Sequence, residues 1–206
     1  MGEKSILEKG LEKYFSTDQL KKLSNTVVGI AGLGGLGSNV ALMLARSGIS
    51  HFVLIDHDII EESNLNRQQF WPNHVGKYKV DALSEILTNL NPNIKINSHI
   101  LRITKDNLKE IIHLSNIWVE ALDNAEIKTI FMEQTAKKST FLTGASGIAG
   151  YGKNPINRKI LGNIVIVGDF ITDTSIAPPL APRVTEAAAL MADSVLTYIL
   201  KGKISV

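Results

Sequence analysis

The chain has 206 residues, 44% of them apolar and 20% charged, with a formal net charge of +2 and no cysteine. Ordinary apolar content without low-complexity tracts excludes disorder as the main state, and the length suits one domain with a sizeable core. Near-neutral charge gives no reason to expect nucleic acid or an anionic membrane, and the lack of cysteine excludes disulfides, thiolate zinc sites and a cysteine nucleophile together. The start, Met1–Ser5, lacks the apolar run of a secretory signal, and the nearest apolar stretch, Val28–Leu33, is broken by glycines. A soluble cytoplasmic protein without a membrane span is expected.

In chain order, Ser5–Asn25 carries apolar residues at Ile6, Leu7, Leu11, Phe15, Leu20 and Leu23, a helical spacing broken near Ser16-Thr17. Val27–Ala31 reads as a short buried strand, Asn39–Arg46 as a helix stopped at Ser47-Gly48, and His51–Ile55 as a second strand ending at Asp56. Helices are then predicted over Lys77–Asn89, from Asp106 as cap to Leu114, and over Ala125–Lys137. Strands are predicted at Ile94–Ile100, Ile117–Ala121, Thr140–Thr143 and Asn163–Val167. Gly144–Gly162 reads as an irregular loop, and a last helix runs from near Pro182 to Leu200. This order predicts an α/β, Rossmann-like three-layer fold, a mostly parallel sheet with helices on both faces. One domain is expected over 1–206, with a helical segment at 1–25, a nucleotide-binding core at 26–143 and a loop, late strand and helix at 144–206.

Between the first strand and its helix lies Gly32-Leu33-Gly34-Gly35-Leu36-Gly37-Ser38. Glycines at 32, 34 and 37 permit a tight turn, bring a phosphate to backbone N–H groups and let helix meet strand. Asp56, 19 residues after Gly37, ends the second strand where a ribose hydroxyl can be bound. A bare turn or an end-of-strand cap is the bland alternative for each. The pattern also serves NAD-dependent oxidoreductases, so the choice of nucleotide rests on the residues beyond Asp56. These are Asp58, the polar run Glu61–Gln69, the cationic Gly76-Lys77-Tyr78-Lys79-Val80 and the strand-end acid of Leu122-Asp123-Asn124. Two cations and a second acid at one mouth suit a triphosphate with Mg2+ better than a dinucleotide. Asp123 is open to a second role as helix N-cap. Trp71 and Trp118 read as core or interface residues, and the five histidines show no metal spacing.

At these residues the sequence resembles the ThiF-like adenylyltransferases, relatives of the ubiquitin-activating enzymes. The resemblance is carried by the glycine loop, Asp56-x-Asp58, Ser63-Asn64-Leu65-Asn66-Arg67-Gln68, Lys79 in its cationic motif and Asp123-Asn124. Ala145–Gly152 and Ala181-Pro182-Arg183-Val184 look like the shorter ThiF variant of thiamine biosynthesis. The resemblance implies ATP-dependent activation of the C-terminal glycine of a small ubiquitin-like sulfur carrier ending in Gly-Gly, giving an acyl-adenylate and pyrophosphate. It implies Arg67 and Lys79 as cations at the reacting phosphates, with Lys79 nearest the α-phosphate, and Asp123 as the Mg2+ ligand. Gly32, Gly34, Gly35, Gly37, Ser38, Asp56, Asp58 and Asn64 would complete the nucleotide site, and Arg183 has a weaker claim on the carrier's tail.

The chain departs from the family in two respects. Without cysteine it has no Cys-x-x-Cys zinc motif, so no zinc is expected, and it forms no thioester; a separate protein must donate the sulfur. Residues 1–25 lack the arginine that relatives extend to ATP; Lys9, Lys13, Lys21 and Lys22 are the candidate substitutes near that position. A homodimer is nonetheless expected, although the stripe Ile6, Leu7, Leu11 could equally pack on its own sheet. Three rivals stay open: an NAD-dependent oxidoreductase, a non-catalytic carrier-binding module, and adenylation of another carboxylate on a molybdopterin-type carrier, a peptide or a tRNA nucleoside.

Overall fold

The computed structural model describes residues 3–138, 140–152 and 154–203. Met1 and Gly2, part of the start read for a signal, lie outside the described residues, as does position 153 in the glycine-rich stretch. Two short helices, α1 (Ile6–Leu11) and α2 (Thr17–Asn25), open the chain, each closed by a capping box, Ser5 with Glu8 and Ser16 with Gln19. Next come β1 (Val27–Ala31), α3 (Gly35–Arg46), β2 (His51–Asp56), α4 (Lys79–Leu90), β3 (Lys95–Ile100), α5 (Leu108–Ile112), β4 (Ile117–Glu120) and α6 (Ala125–Lys137). The chain ends in β5 (Phe141–Ala145), β6 (Asn157–Leu161), β7 (Ile164–Gly168) and α7 (Ala181–Lys201), with single 3-10 turns at Glu62–Asn64 and Pro72–His74.

One seven-stranded sheet has the order β3-β2-β1-β4-β5-β7-β6, parallel throughout except for the antiparallel β6–β7 pair at one edge. Alternate residues of the central strands serve two cores. Ile30, Leu54, Val119, Phe141 and Val165 face the core under α2, α3, α4 and α7. Ala31, Val53, Ile55, Trp118 and Leu142 face the smaller core under α5 and α6. Trp118 is fully buried there, edge-on to Phe131 at 5.3 Å, with its indole N–H donated to Ser115 O. The three-layer α/β fold read from the element order is therefore the fold of the chain.

Four local expectations are corrected. Gly144–Gly162 is not all loop: β6 lies inside it, and its alternating exposed and half-buried residues are those of a sheet edge. Asn107, not Asp106, precedes α5, and its amide oxygen accepts from Thr104 N. The stripe of α1 is not buried: Ile6 is 91% exposed, and Glu8 ties the helix to the β3 approach through Asn91 and Asn93. Trp71 is 67% exposed, which removes the core half of its reading and leaves the interface half. Among the described residues no helix is long and apolar enough to cross a membrane.

Candidate functional site

Because β1 lies between β2 and β4, the chain reverses its direction of travel across the sheet at β1. In open parallel sheets, ligands sit outside the carboxyl ends of the strands at such a point. The loop after β1 turns sharply at Gly32, whose φ is +86°. A Cβ there would lie 2.5 Å from Ala121 O, and one on Gly37 would lie 1.9 Å from Gly32 O. These two glycines close strand, loop and helix on one another. Gly34 is different: the nearest atom to an added Cβ is Gln68 Nε2 at 3.7 Å, so the backbone is open there. Gly34 is also the N-cap of α3, without a side-chain cap and without an acid in the first turn, which leaves helix amides for an anion. Gly37→Ala is expected to collapse the loop and lower the melting temperature sharply, whereas Gly34→Ala folds normally and loses ligand affinity; thermal melts beside ATP titrations test the pair.

Ser38 does not line the phosphate path as expected. It is fully buried, its hydroxyl donates to Gly34 O at 2.7 Å and accepts from Gln69 N at 3.1 Å. Its role is to dock the 63–69 run on α3, together with Asn39, whose amide donates to Gly35 O and Arg67 O and whose oxygen accepts from Gln69 Nε2. Sequence reasoning missed Asn39, whose adjacency to Ser38 was the available signal, and included Gln69 in the polar run without a role of its own. The docking brings the Arg67 stem beside Gly35, where an added Cβ would meet Arg67 Cγ at 3.4 Å. Arg67 is half-buried and donates Nη1 to Ser63 O and to Asn66 Oδ1, at 3.1 and 2.7 Å. Its other guanidinium N–H groups have no partner among the described residues.

On the β2 side, Asp56 is buried and braces the loop, accepting from Leu33 N at 2.6 Å and Asp58 N at 2.8 Å. Lys79, also buried, reaches Asp58 at 2.6 Å and lines a pocket with His57, Asp58, Ile59, Glu61 and Asn64. Asn64 closes a turn, its amide oxygen accepting from Glu61 N. Asp56, His57 and Asp58 present ligand atoms within 4.8 Å of one another, but Lys79 already neutralises Asp58, so the cluster is a poor cation site. A larger hollow, lined by Lys21, Lys22, Thr26, Ile117 and Tyr198, lies at the opposite end of the strands, away from the glycine loop.

On the β4 side, Ala121 N donates to Ala31 O, holding the turn after β4 beside Gly32. Asp123 is exposed and takes no hydrogen bond or ion pair among the described residues. The N-cap of α6 is Asn124, whose oxygen accepts from Ile127 N, so Asp123 is not the cap. Glu120 escaped the sequence reading: it is fully buried, and burial pushes its carboxyl above the ordinary range against the pull of Lys128 at 3.1 Å. Arg183 is also reassigned. It is buried, paired with Asp169 at 2.9 Å and bonded to Asn154 O, so it anchors loops and does not reach a substrate tail. The structure thus gathers the glycine loop, Asp56, Asp58, Asn64 and Lys79 on the β2 side, with Arg67 beside Gly35 and Asp123 in the turn after β4 that abuts Gly32.

Residues 9–158 match the ThiF family. The chain belongs to that family. Among known proteins, this ThiF-family chain is 40% identical over 94 residues to ubiquitin-like modifier-activating enzyme 5 of Dictyostelium discoideum, covering 46% of the chain and 25% of that enzyme. The same enzyme of Oryza sativa subsp. japonica is 37% identical over 94 residues, 46% of the chain and 22% of the enzyme. The aligned segment therefore spans about a quarter of the length of these relatives. Among solved structures, E. coli tRNA N6-threonylcarbamoyladenosine dehydratase (TcdA) in complex with ATP superposes with a TM-score of 0.80 at 20% identity, over 94% of this chain and 92% of that one. E. coli MccB with ATP gives 0.72 at 26% identity, over 90% and 59%.

Proposed function

We propose that this ThiF-family chain is an ATP-dependent adenylyltransferase acting on a C-terminal carboxylate. The observation that carries the reading is the uncapped, acid-free start of α3 at Gly34, open to a phosphate, with the Arg67 stem beside Gly35. A carboxylate oxygen bonds to the α-phosphorus, the bond from that phosphorus to the bridging oxygen breaks, and pyrophosphate leaves. Both reactants are anions, so fixed cations are what the site must supply. Arg67 offers its unpartnered N–H groups, and Lys79 a charge held in place by Asp58 at 2.6 Å. Asp56 retains acceptor capacity for a ribose hydroxyl beside its two backbone bonds. Asp123 fits a hard cation, being an exposed carboxylate with no competing partner among the described residues, and would hold Mg2+. Mg2+ bound with ATP would neutralise phosphate charge.

The substrate is read as a small ubiquitin-like protein ending in Gly-Gly, a reading supported by the ubiquitin-like modifier-activating relatives. Within that class a thiamine-type sulfur carrier is favoured by the short Ala145–Gly152 and Ala181–Val184 motifs. With no thiol in this chain, adenylation is its step, and sulfur comes from a second protein. A homodimer belongs to the same reading. A peptide C-terminus stands as the alternative carboxylate; among the solved neighbours, E. coli MccB is described with MccA.

ATP–pyrophosphate exchange with Mg2+ tests the proposal, with and without carriers ending in Gly-Gly. Carrier-dependent exchange that disappears in Asp123→Ala is the expected result. ATP binding without exchange on any carrier or peptide would leave a non-catalytic module, and NADH binding in place of ATP would overturn the reading.

A further inference from the structure

We infer that Glu120 and Lys128 are positioning residues that set Asp123 for its metal; the inference rests on the adenylation reading above. Glu120 is the last residue of β4, and Asp123 follows it in a short turn leading to α6. The carboxylate of Glu120 accepts from Leu122 N through Oε1 at 2.8 Å. Its Oε2 lies 3.1 Å from Lys128 Nζ, and the same ammonium donates to Leu122 O at 3.1 Å. Carboxylate and ammonium therefore grip both ends of residue 122, N–H on one side and carbonyl on the other. On the far side of Asp123, Asn124 is fixed as the cap of α6, and its carbonyl accepts from Lys128 N. Asp123 is held from both directions while its own carboxylate stays exposed and free.

The arrangement is costly if stability were its only purpose. Glu120 has no exposed side-chain surface, and its Oε2 makes no hydrogen bond that meets ordinary geometry. A buried ion pair is weak as a source of stability, and an apolar pair of similar volume commonly does as well. The neighbouring strand also yields to it: Gly144, the fourth of the five residues of β5, leaves the space, since a Cβ there would come within 3.0 Å of Glu120 Oε2. Glycine inside a strand weakens the strand, so two unfavourable choices converge on one turn. A turn that must present a carboxylate to a cation in a single geometry accounts for both, because groups behind a metal ligand orient it.

Calorimetric titration of the full chain with ATP, in Mg2+ and again in EDTA, separates positioning from folding. Wild type is expected to bind ATP more tightly in Mg2+ than in EDTA, and Asp123→Ala to lose that difference. Glu120→Gln and Lys128→Gln are expected to weaken binding in Mg2+ by about 10-fold, with binding in EDTA unchanged. Lys128→Arg, which keeps the charge, should restore most of the Mg2+ effect. If Glu120→Gln does not fold, as judged by circular dichroism, Lys128→Gln carries the same test, since Lys128 is partly exposed. Wild-type Mg2+ dependence in both glutamine variants, with Asp123→Ala defective, would overturn the positioning role and leave the adenylation reading standing. An unaffected Asp123→Ala would remove the metal from Asp123 and overturn the positioning role with it, while ATP binding still supports the adenylation reading.

Discussion

Arg67→Ala should slow carrier-dependent ATP–pyrophosphate exchange about 100- to 1,000-fold, the range for removing one preorganised charge-stabilising donor from a reacting centre. Two of the guanidinium's bonds hold it to its own turn, through Ser63 O and Asn66 Oδ1, and the rest of the fork is unspent. Its stem lies against Gly35, at the open start of α3, where charge must gather as the carboxylate meets the phosphate. Arg67→Lys should recover only part of the loss, because an ammonium on a flexible stem cannot reproduce the planar fork. Melting should change little in either variant, since the run is docked on α3 through Asn39, Gln69 and the Arg67 backbone, not through the guanidinium. Wild-type exchange in Arg67→Ala, with ATP still bound, would remove Arg67 from the chemistry.

Arg183→Met is expected to destabilise the fold by about 3 kcal/mol, the lower end of the cost of removing one partner from a buried ion pair. That loss lowers the melting temperature by on the order of 10 °C in a chain of this size. Arg183 and Asp169 are 9% and 0% exposed, and the pair ties the start of α7 to the turn after β7, with Asn154 O as a third point. The cost stays at the lower end because Asp169 keeps its bonds from Thr172 Oγ1, Thr172 N and Ile171 N. Burial alone would raise the Asp169 carboxyl; those bonds and Arg183 outweigh it and hold the group below its ordinary value of 3.8. A carboxyl lowered on folding stabilises the native state fully above its unfolded value, and the contribution is lost as pH falls through the folded one. Stability of the wild type should therefore drop more steeply below pH 3.8 than that of Asp169→Asn, which denaturant titration across the acid range measures.

The central parallel strands were legible because each is a short apolar run bounded by turn residues, and burial on both faces needs no alternation; β3, parallel but only half-covered, was legible by its alternation instead. β6 was not, since Asn157-Arg158-Lys159-Ile160-Leu161 is an edge strand with one half-covered face, and its charges read as loop. The stripe of α1 misled for the opposite reason: periodicity marks a face able to be buried, not a partner that buries it, and Ile6 has none among the described residues.

The glycine loop, the acids that end β2 and follow β4, and the nearby cations could be read from the chain alone, because each depends on chemistry within a few residues. What those groups do to one another is set by the packing of the fold. It placed β1 between β2 and β4, which opens the crevice, and spent the Ser38 hydroxyl on Gln69, 31 positions away. It gave Lys79 to Asp58 across 21 positions and Arg183 to Asp169 across 14. Such pairings are set by which elements pack side by side, and a burial that excludes water turns each polar group's choice of partner into a requirement.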